Sequence, residues 1–456
     1  MEKYKDILET EKELREFVSF FLDLIRKKFF PFSAMVIANY NFGINLSVRF
    51  GKLENVEFQK NKNFSVVLFH NNRKGFSSSN DFSLPKIENI IKKAINFSMY
   101  TRKDVNFKLP DKKFLEINGI NDLEIFFPYE KRIENTIEII KSAESFALNS
   151  DKRIINTEGS SFASNTNISV IGNSYGIINS YKSTVHSISI GVLASDKNNN
   201  KNMEREHSYT IARDFRDLES PIEIGNKAAK KAISRLGAKK ISTMKTCIIF
   251  SSDVASSLFS HFAQGITGVN IYKNNSFLYN KLNKLVFPNW LNIVDNPHLK
   301  KGLFSRPFDE EGVKTNILEV VKSGVLKTWL LDCYSSRRLG LKTTGHSGGI
   351  HNFIVTTENT SSFITFKEML SEVSFGILVT ELMGDGVNLI NGDYSRGAFG
   401  FLIENGDIKY PVKEITISGN LNNIWKNILY IGNDINHKKN IQCGSILISE
   451  MQVSGL

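Results

Sequence analysis

The sequence predicts an α+β protein of two domains built on large, mixed, mostly antiparallel sheets, with helices on one face of the N-terminal sheet and a barrel-like C-terminal β domain. Three observations lead there. Amphipathic stripes of helical period alternate with β-rich runs broken at Asn and Gly. The last third alternates strand and turn with a high density of glycine. The 456 residues suffice for two domains, each with its own core. The 41% hydrophobic and 23% charged residues are ordinary for a globular chain, which excludes a disordered tail.

The chain opens on a helix over residues 11–28, where Leu14, Phe17, Val18, Phe21, Leu24 and Ile25 fall on one helical face. Runs at 34–40, 43–50 and 64–70 then read as strands, and 85–99 as a helix. A second amphipathic helix is expected over 129–147. Strands follow at 160–172, 175–181 and 184–195, then an exposed polar loop tip at 196–202 and another strand at 205–215. Pro221 and Gly237 bracket a helix in the usual start and stop positions. The domain boundary is placed at that helix, giving an N-terminal α+β domain, 1–220, and a C-terminal β-rich domain, 221–456. The second half starts with a strand at 246–250 and a helix at 253–264 capped by Ser252 or Asp253. Strands near 312–330, 350–356 and 376–381 alternate with short helices, and Glu404-Asn405-Gly406-Asp407 is a hairpin signal within 398–420.

The net charge of +11 is spread as single lysines among Asn, Ile and Phe, without a dense basic block, so no nucleic-acid partner is expected. Three cysteines, Cys247, Cys333 and Cys443, are too few and too far apart for a disulfide framework and form no CxxC pair. Glu11, Glu13, Arg15 and Asp23 interrupt the apolar residues of the N-terminus, and no run is long enough to span a bilayer. A cytoplasmic location without membrane attachment is the expectation.

Several motifs invite chemistry. Gly345-His346-Ser347-Gly348-Gly349 matches GxSxG, but a polar loop precedes Ser347 and a strand follows it, the wrong context for a nucleophile elbow. His346 and His351 lie five apart, with Asp385 and Asp393 as carboxylates for a loop-borne metal site, although hydrogen-bonded loop histidines are the simpler reading. Gly384, Gly386, Gly392, Gly397 and Gly400 mark turns or close approaches, or a strand edge able to bind an extended peptide.

The segment 379–434, with VTELMGDGVNLINGDYSRGAFGFLIENGDIKYPVKEITISGNL followed by IGNDI, resembles the C-terminal hallmark of the TldD/PmbA metalloprotease family, in its PmbA (TldE) branch. The GHSGGIHN stretch, Ser47-Val48-Arg49 and Arg73-Lys74-Gly75-Phe76 are similar to further family features, so the resemblance spans nearly the whole chain. It implies a cytoplasmic zinc protease that processes unfolded peptides such as microcin precursors and antitoxins. In it a TldD-type subunit carries an HExxxH helix, and a PmbA-type subunit pairs with it. Aligned on Gly265 and Gly268, the two histidine positions of that helix hold Phe259 and Gln264 here, and the base position holds Ser260. His261 is out of register. Cys443 resembles the cysteine ligand of catalytic members and is the one weak metal candidate.

The resemblance therefore implies zinc in the partner subunit, none in this chain, and an oligomer. The glycine-rich segments supply candidates for substrate contact: Gly345, His346, Gly348 and Gly349, and Asp393, Ser395 and Arg396. The alternatives are an independently active hydrolase and a non-enzymatic peptide-binding or regulatory protein.

Overall fold

The computed structural model describes residues 2–115, 122–196 and 203–456; the expected loop tip at 196–202 falls, beyond Asp196, outside them. Helix α1 (Glu2–Lys28) leads into β1 (Ser33–Arg49), β2 (Lys52–His70) and β3 (Arg73–Ser79), then α2 (Leu84–Tyr100) and α3 (Ile133–Asn149). Strands β4 (Ile154–Asn173), β5 (Ile178–Ser195) and β6 (Met203–Ala212) complete an antiparallel sheet of order β3-β2-β1-β4-β5-β6.

The expected strands at 34–40 and 43–50 are a single strand. β1 is central, paired with β2 on one side and β4 on the other, so its backbone is satisfied through the Asn-Phe-Gly signal that would turn an unpaired segment. The runs at 175–181 and 184–195 merge in β5, whose pairing with β4 continues without a break across residues 182–184. Phe50 and Gly51, both at positive φ, make the two-residue β1–β2 turn whose twist suits a hairpin.

Side-chain alternation decides where the helices sit. Ala34, Val36, Ala38, Ile44, Leu46 and Val48 share one face of β1. α1 and α2 cover the first three of these, through Leu14, Val18, Phe21, Ile90 and Ile91. α3 and α4 (Pro221–Ser234) cover the last three, through Ile140, Ala147, Ile224 and Ala228. Helices on one face of the first sheet are thus observed. α4 starts with a capping box between Ser220 and Glu223, which satisfies two of the otherwise unpaired N–H groups. The opposite face carries Met35, Val67 and Ile171, packed on Leu109 and Phe308.

The second half runs through β7 (Met244–Phe250), α5 (Ser252–Gly265), β8 (Leu291–Asp295), β9 (Leu318–Lys322), β10 (Val325–Leu326), β11 (Phe353–Thr357) and β12 (Phe363–Ile364). It continues with β13 (Phe375–Met383), β14 (Val387–Asn388), β15 (Asp393–Glu404), β16 (Asp407–Asn420), β17 (Ile428–Gly432), β18 (Ile441–Gln442) and β19 (Ile446–Ser454). Because β19 pairs with both β16 and β7, the strands β7-β13-β15-β16-β19 close into a barrel, as expected. Strands β10-β9-β8-β11-β18 form a separate sheet.

α5 lies between these two layers. Phe259 and Phe262 pack with Phe250 and Val379 of the barrel and with Ile293, Phe353 and Val355 of the five-stranded sheet. Its N-cap is Ser251, which makes no side-chain capping bond, one residue earlier than expected. Buried Arg213 ties the halves together by donating to the carbonyls of Thr184, Gly302 and Leu303, and burial pulls its pKa down to about 10. None of the helices among the described residues is long and apolar enough to cross a membrane.

Candidate functional site

A helix buried on one side has residues one apart on different faces, and α5 separates its three motif positions accordingly. Phe259 is fully buried and stacks on Phe287, with ring centroids 5.8 Å apart. Ser260 and Gln264 face the other way, into a pocket of about 430 Å³ that is also lined by Asp332, His346, Ser347, Gly348 and Gly349. The structure therefore joins two motif positions to the glycine loop.

The loop is held from beneath by acids. Asp309 accepts from the backbone N–H groups of Glu311 and Val313 at 2.9 Å and of Ser347 at 3.0 Å. Its carboxyl is pushed up to about 7 by burial, with Glu311 adding to the effect. Gly348 sits at φ +92°, a backbone conformation that favours glycine, and a Cβ there would also meet the Glu310 side chain at 2.5 Å.

Asp295, at the end of β8, is completely buried and binds both loop histidines. Its Oδ2 lies 2.8 Å from His346 Nε2 and 2.8 Å from His351 Nδ1. Those two bonds hold its carboxyl well below the ordinary range against the opposing effect of burial, which is the largest single influence. The expected carboxylate partners, Asp385 and Asp393, lie elsewhere. Asp385 is exposed, and Asp393 accepts from Asn391 and Asn420. Asp295 and Asp309 carry no local sequence signal, because each meets the loop only through the β8–β11 pairing and the turn at 307–313. That pairing sets Phe353 opposite Asp295 and brings His351 beside it.

The remaining candidates separate from this pocket. Ser395 is exposed and its N–H donates to Gly386 O. Arg396 donates to Gly384 O at 2.9 Å and lines a second cleft of about 910 Å³ between β6, α4, the start of α5 and β13. Ser347, Asp393 and His437 each bond to other residues, His437 to Gln442, so no Ser-His-Asp triad is assembled among them. His261 is buried against Tyr394 with no partner for Nε2, and burial lowers its pKa.

Zinc of the family's kind requires imidazoles and a thiolate here. Phe259 offers a phenyl ring to the core, and Ser260 and Gln264 offer neutral groups. The Cys443 thiol is fully buried and pushed up to about 12. This donor set does not fit the ion. A thiol titration checks the last point: at about pH 8 a native chain should react with Ellman's reagent at Cys247 alone, the one thiol that is not buried, because only an accessible thiolate attacks. All three should react after denaturation, and rapid native labelling of Cys443 would contradict the burial.

Comparison with known proteins completes the picture. Residues 34–97, 128–236 and 243–455 match, in order, domain 1, the central domain and the C-terminal domain of the PmbA/TldA metallopeptidases. The chain is 48% identical to the metalloprotease PmbA homolog of Buchnera aphidicola subsp. Acyrthosiphon pisum over 93% of each chain. It is 45% identical to metalloprotease PmbA of Escherichia coli O157:H7, over 97% of this chain and 96% of that one. A Bacteroides thetaiotaomicron crystal structure, solved as that of a candidate modulator of DNA gyrase, superposes with a TM-score of 0.89 at 27% identity, covering 97% and 99% of the two chains. With all three domains matched in order and nearly half the residues shared with PmbA proteins along the whole length, this chain belongs to the TldD/PmbA metalloprotease family as a member of PmbA type.

Proposed function

We propose that this chain is the subunit without the catalytic zinc in a cytoplasmic TldD/PmbA-type protease acting on unfolded peptides. One observation carries the reading: α5 turns a phenyl ring into the core and a serine and a glutamine into the pocket, where a catalytic subunit needs metal donors. The chain then contributes a wall of the peptide chamber and stabilises its TldD-type partner.

The larger cleft suits an extended substrate. β6 is an edge strand, and the β13–β7 pairing ends at Val379↔Phe250, leaving Thr380–Leu382 as a second edge in the same cleft. Two strand edges offer main-chain hydrogen bonds to an unfolded peptide irrespective of its side chains. Between them Arg235 ion-pairs with Glu206 and Glu381, holding the two walls in register.

The test is reconstitution with a TldD-type subunit and an unfolded peptide. The chain alone should be inert, the pair should cleave, and a zinc chelator should abolish cleavage. Cys443→Ala should leave the rate of the pair within about threefold, whereas loss of a metal ligand typically costs far more than that. Chelator-sensitive cleavage by the isolated chain would overturn the proposal. An inert pair would favour a non-enzymatic peptide-binding role.

A further inference from the structure

We propose that Asp295, His346 and His351 form a binding site for one divalent transition-metal ion, of the zinc or cobalt class, set in the wall behind the glycine loop and separate from the α5 positions. Two imidazoles and one carboxylate are a mixed donor set that such ions favour. The three ligating atoms lie within 4.8 Å of one another and all three residues are buried. Donors bound at about 2.1 Å and at right angles sit about 3 Å apart. The 2.8 Å separations from Asp295 Oδ2 to each imidazole nitrogen therefore need to open by only a few tenths of an ångström around an ion.

The tautomer of His346 strengthens the assignment. Its Nδ1 is 2.8 Å from the carbonyl oxygen of Thr344, which can only accept, so Nδ1 carries the hydrogen. In the neutral ring the Nε2 lone pair then points at a carboxylate oxygen, and two lone pairs at that distance repel unless something positive lies between them. A backbone carbonyl that fixes the ring through its other nitrogen is the usual outer support of a metal-bound histidine.

Charge balance points the same way. The groups within hydrogen-bond distance of the Asp295 carboxylate are the two rings and the His351 N–H; among the described residues no ammonium or guanidinium group hydrogen-bonds to it. A carboxylate removed from water requires compensation, and a bound cation supplies it. The ion would fasten residues 346–351 to the end of β8 and so hold the pocket-lining Gly348 and Gly349 in place. Neither Phe259, Ser260, Gln264 nor Cys443 takes part.

The full chain is purified without any partner subunit, stripped with a chelator and titrated with cobalt(II), then with zinc. We expect one cobalt ion per chain with visible d–d bands, displacement by zinc, and a thermal midpoint raised by several degrees. His351→Gln should weaken binding by about a hundredfold or more, while Cys443→Ser should bind as the parent does. Should His351→Gln fail to fold, His346→Gln serves in its place, and the parent's cobalt spectrum decides independently. Absence of binding with an unchanged thermal midpoint would overturn the site in favour of a purely hydrogen-bonded network. Equal binding by parent and histidine variants, or a thiolate charge-transfer band, would overturn it as well. None of these readouts requires protease activity, so the result stands apart from that of the reconstitution experiment.

Discussion

Asp295→Ala should destabilise the chain by about 3–5 kcal/mol, because it strips the partner from two buried imidazoles and one buried N–H group at once. Asp295 and His351 are 0% and 1% exposed, so water cannot replace the lost bonds. The loss is to be read as a drop in urea midpoint with the slope unchanged. Asp393→Ala is the matched control. Its carboxylate is exposed and bonds to the side-chain amides of Asn391 and Asn420, so the change should stay within about 0.5 kcal/mol. A loss below about 1 kcal/mol for Asp295→Ala would mean that the loop is held by its glycine turns and Asp309 alone.

Trp425→Ala should cost about 3–5 kcal/mol as well, through a cavity rather than through polarity. The indole is fully buried and meets Phe262, Phe277 and Phe287 at centroid distances of 5.5, 5.6 and 5.4 Å. Phe262 belongs to α5, so the void opens directly beneath the helix that presents Ser260 and Gln264. The indole N–H has no hydrogen-bond partner, so Trp425→Phe loses packing only and should cost less than about 1.5 kcal/mol. Equilibrium unfolding of both variants separates the two contributions. A Phe variant as damaged as the Ala variant would show that a hydrogen bond at the indole matters after all.

Much of this molecule is legible in its residues because the relevant signals are local. The stripe from Leu14 to Ile25 specifies α1 by period alone, Ser220-Pro221 and Glu223 announce α4, and Asn405-Gly406 turns β15 into β16 with both residues at positive φ. The glycine spacing after Val379 carries the family resemblance, and the structure gives part of it a steric basis: a Cβ at Gly400 would meet Leu378 O at 2.1 Å, and one at Gly386 would meet Ser395 O at 2.0 Å. Strand lengths were less legible. Asn and Gly break a lone strand but not one paired on both sides, and pairing is not a local property.

The candidate site divides along the same line. By itself the sequence determined that the HExxxH pattern is absent from α5 and that His346 and His351 share a glycine-rich loop, since each follows from residues near one another along the chain, whereas closure of the expected barrel rests on the long-range pairing of β19 with β7. Only the tertiary structure decided that Phe259 faces the core while Ser260 and Gln264 face the pocket. It alone supplied Asp295, 51 residues from His346, as the carboxylate between the two histidines, and it moved Asp393 and Arg396 away from them. The physical reason is that ring orientation and charge pairing depend on which strands lie side by side: the antiparallel register that sets Phe353 opposite Asp295 is a long-range arrangement of β8 and β11, and no spacing within either strand records it.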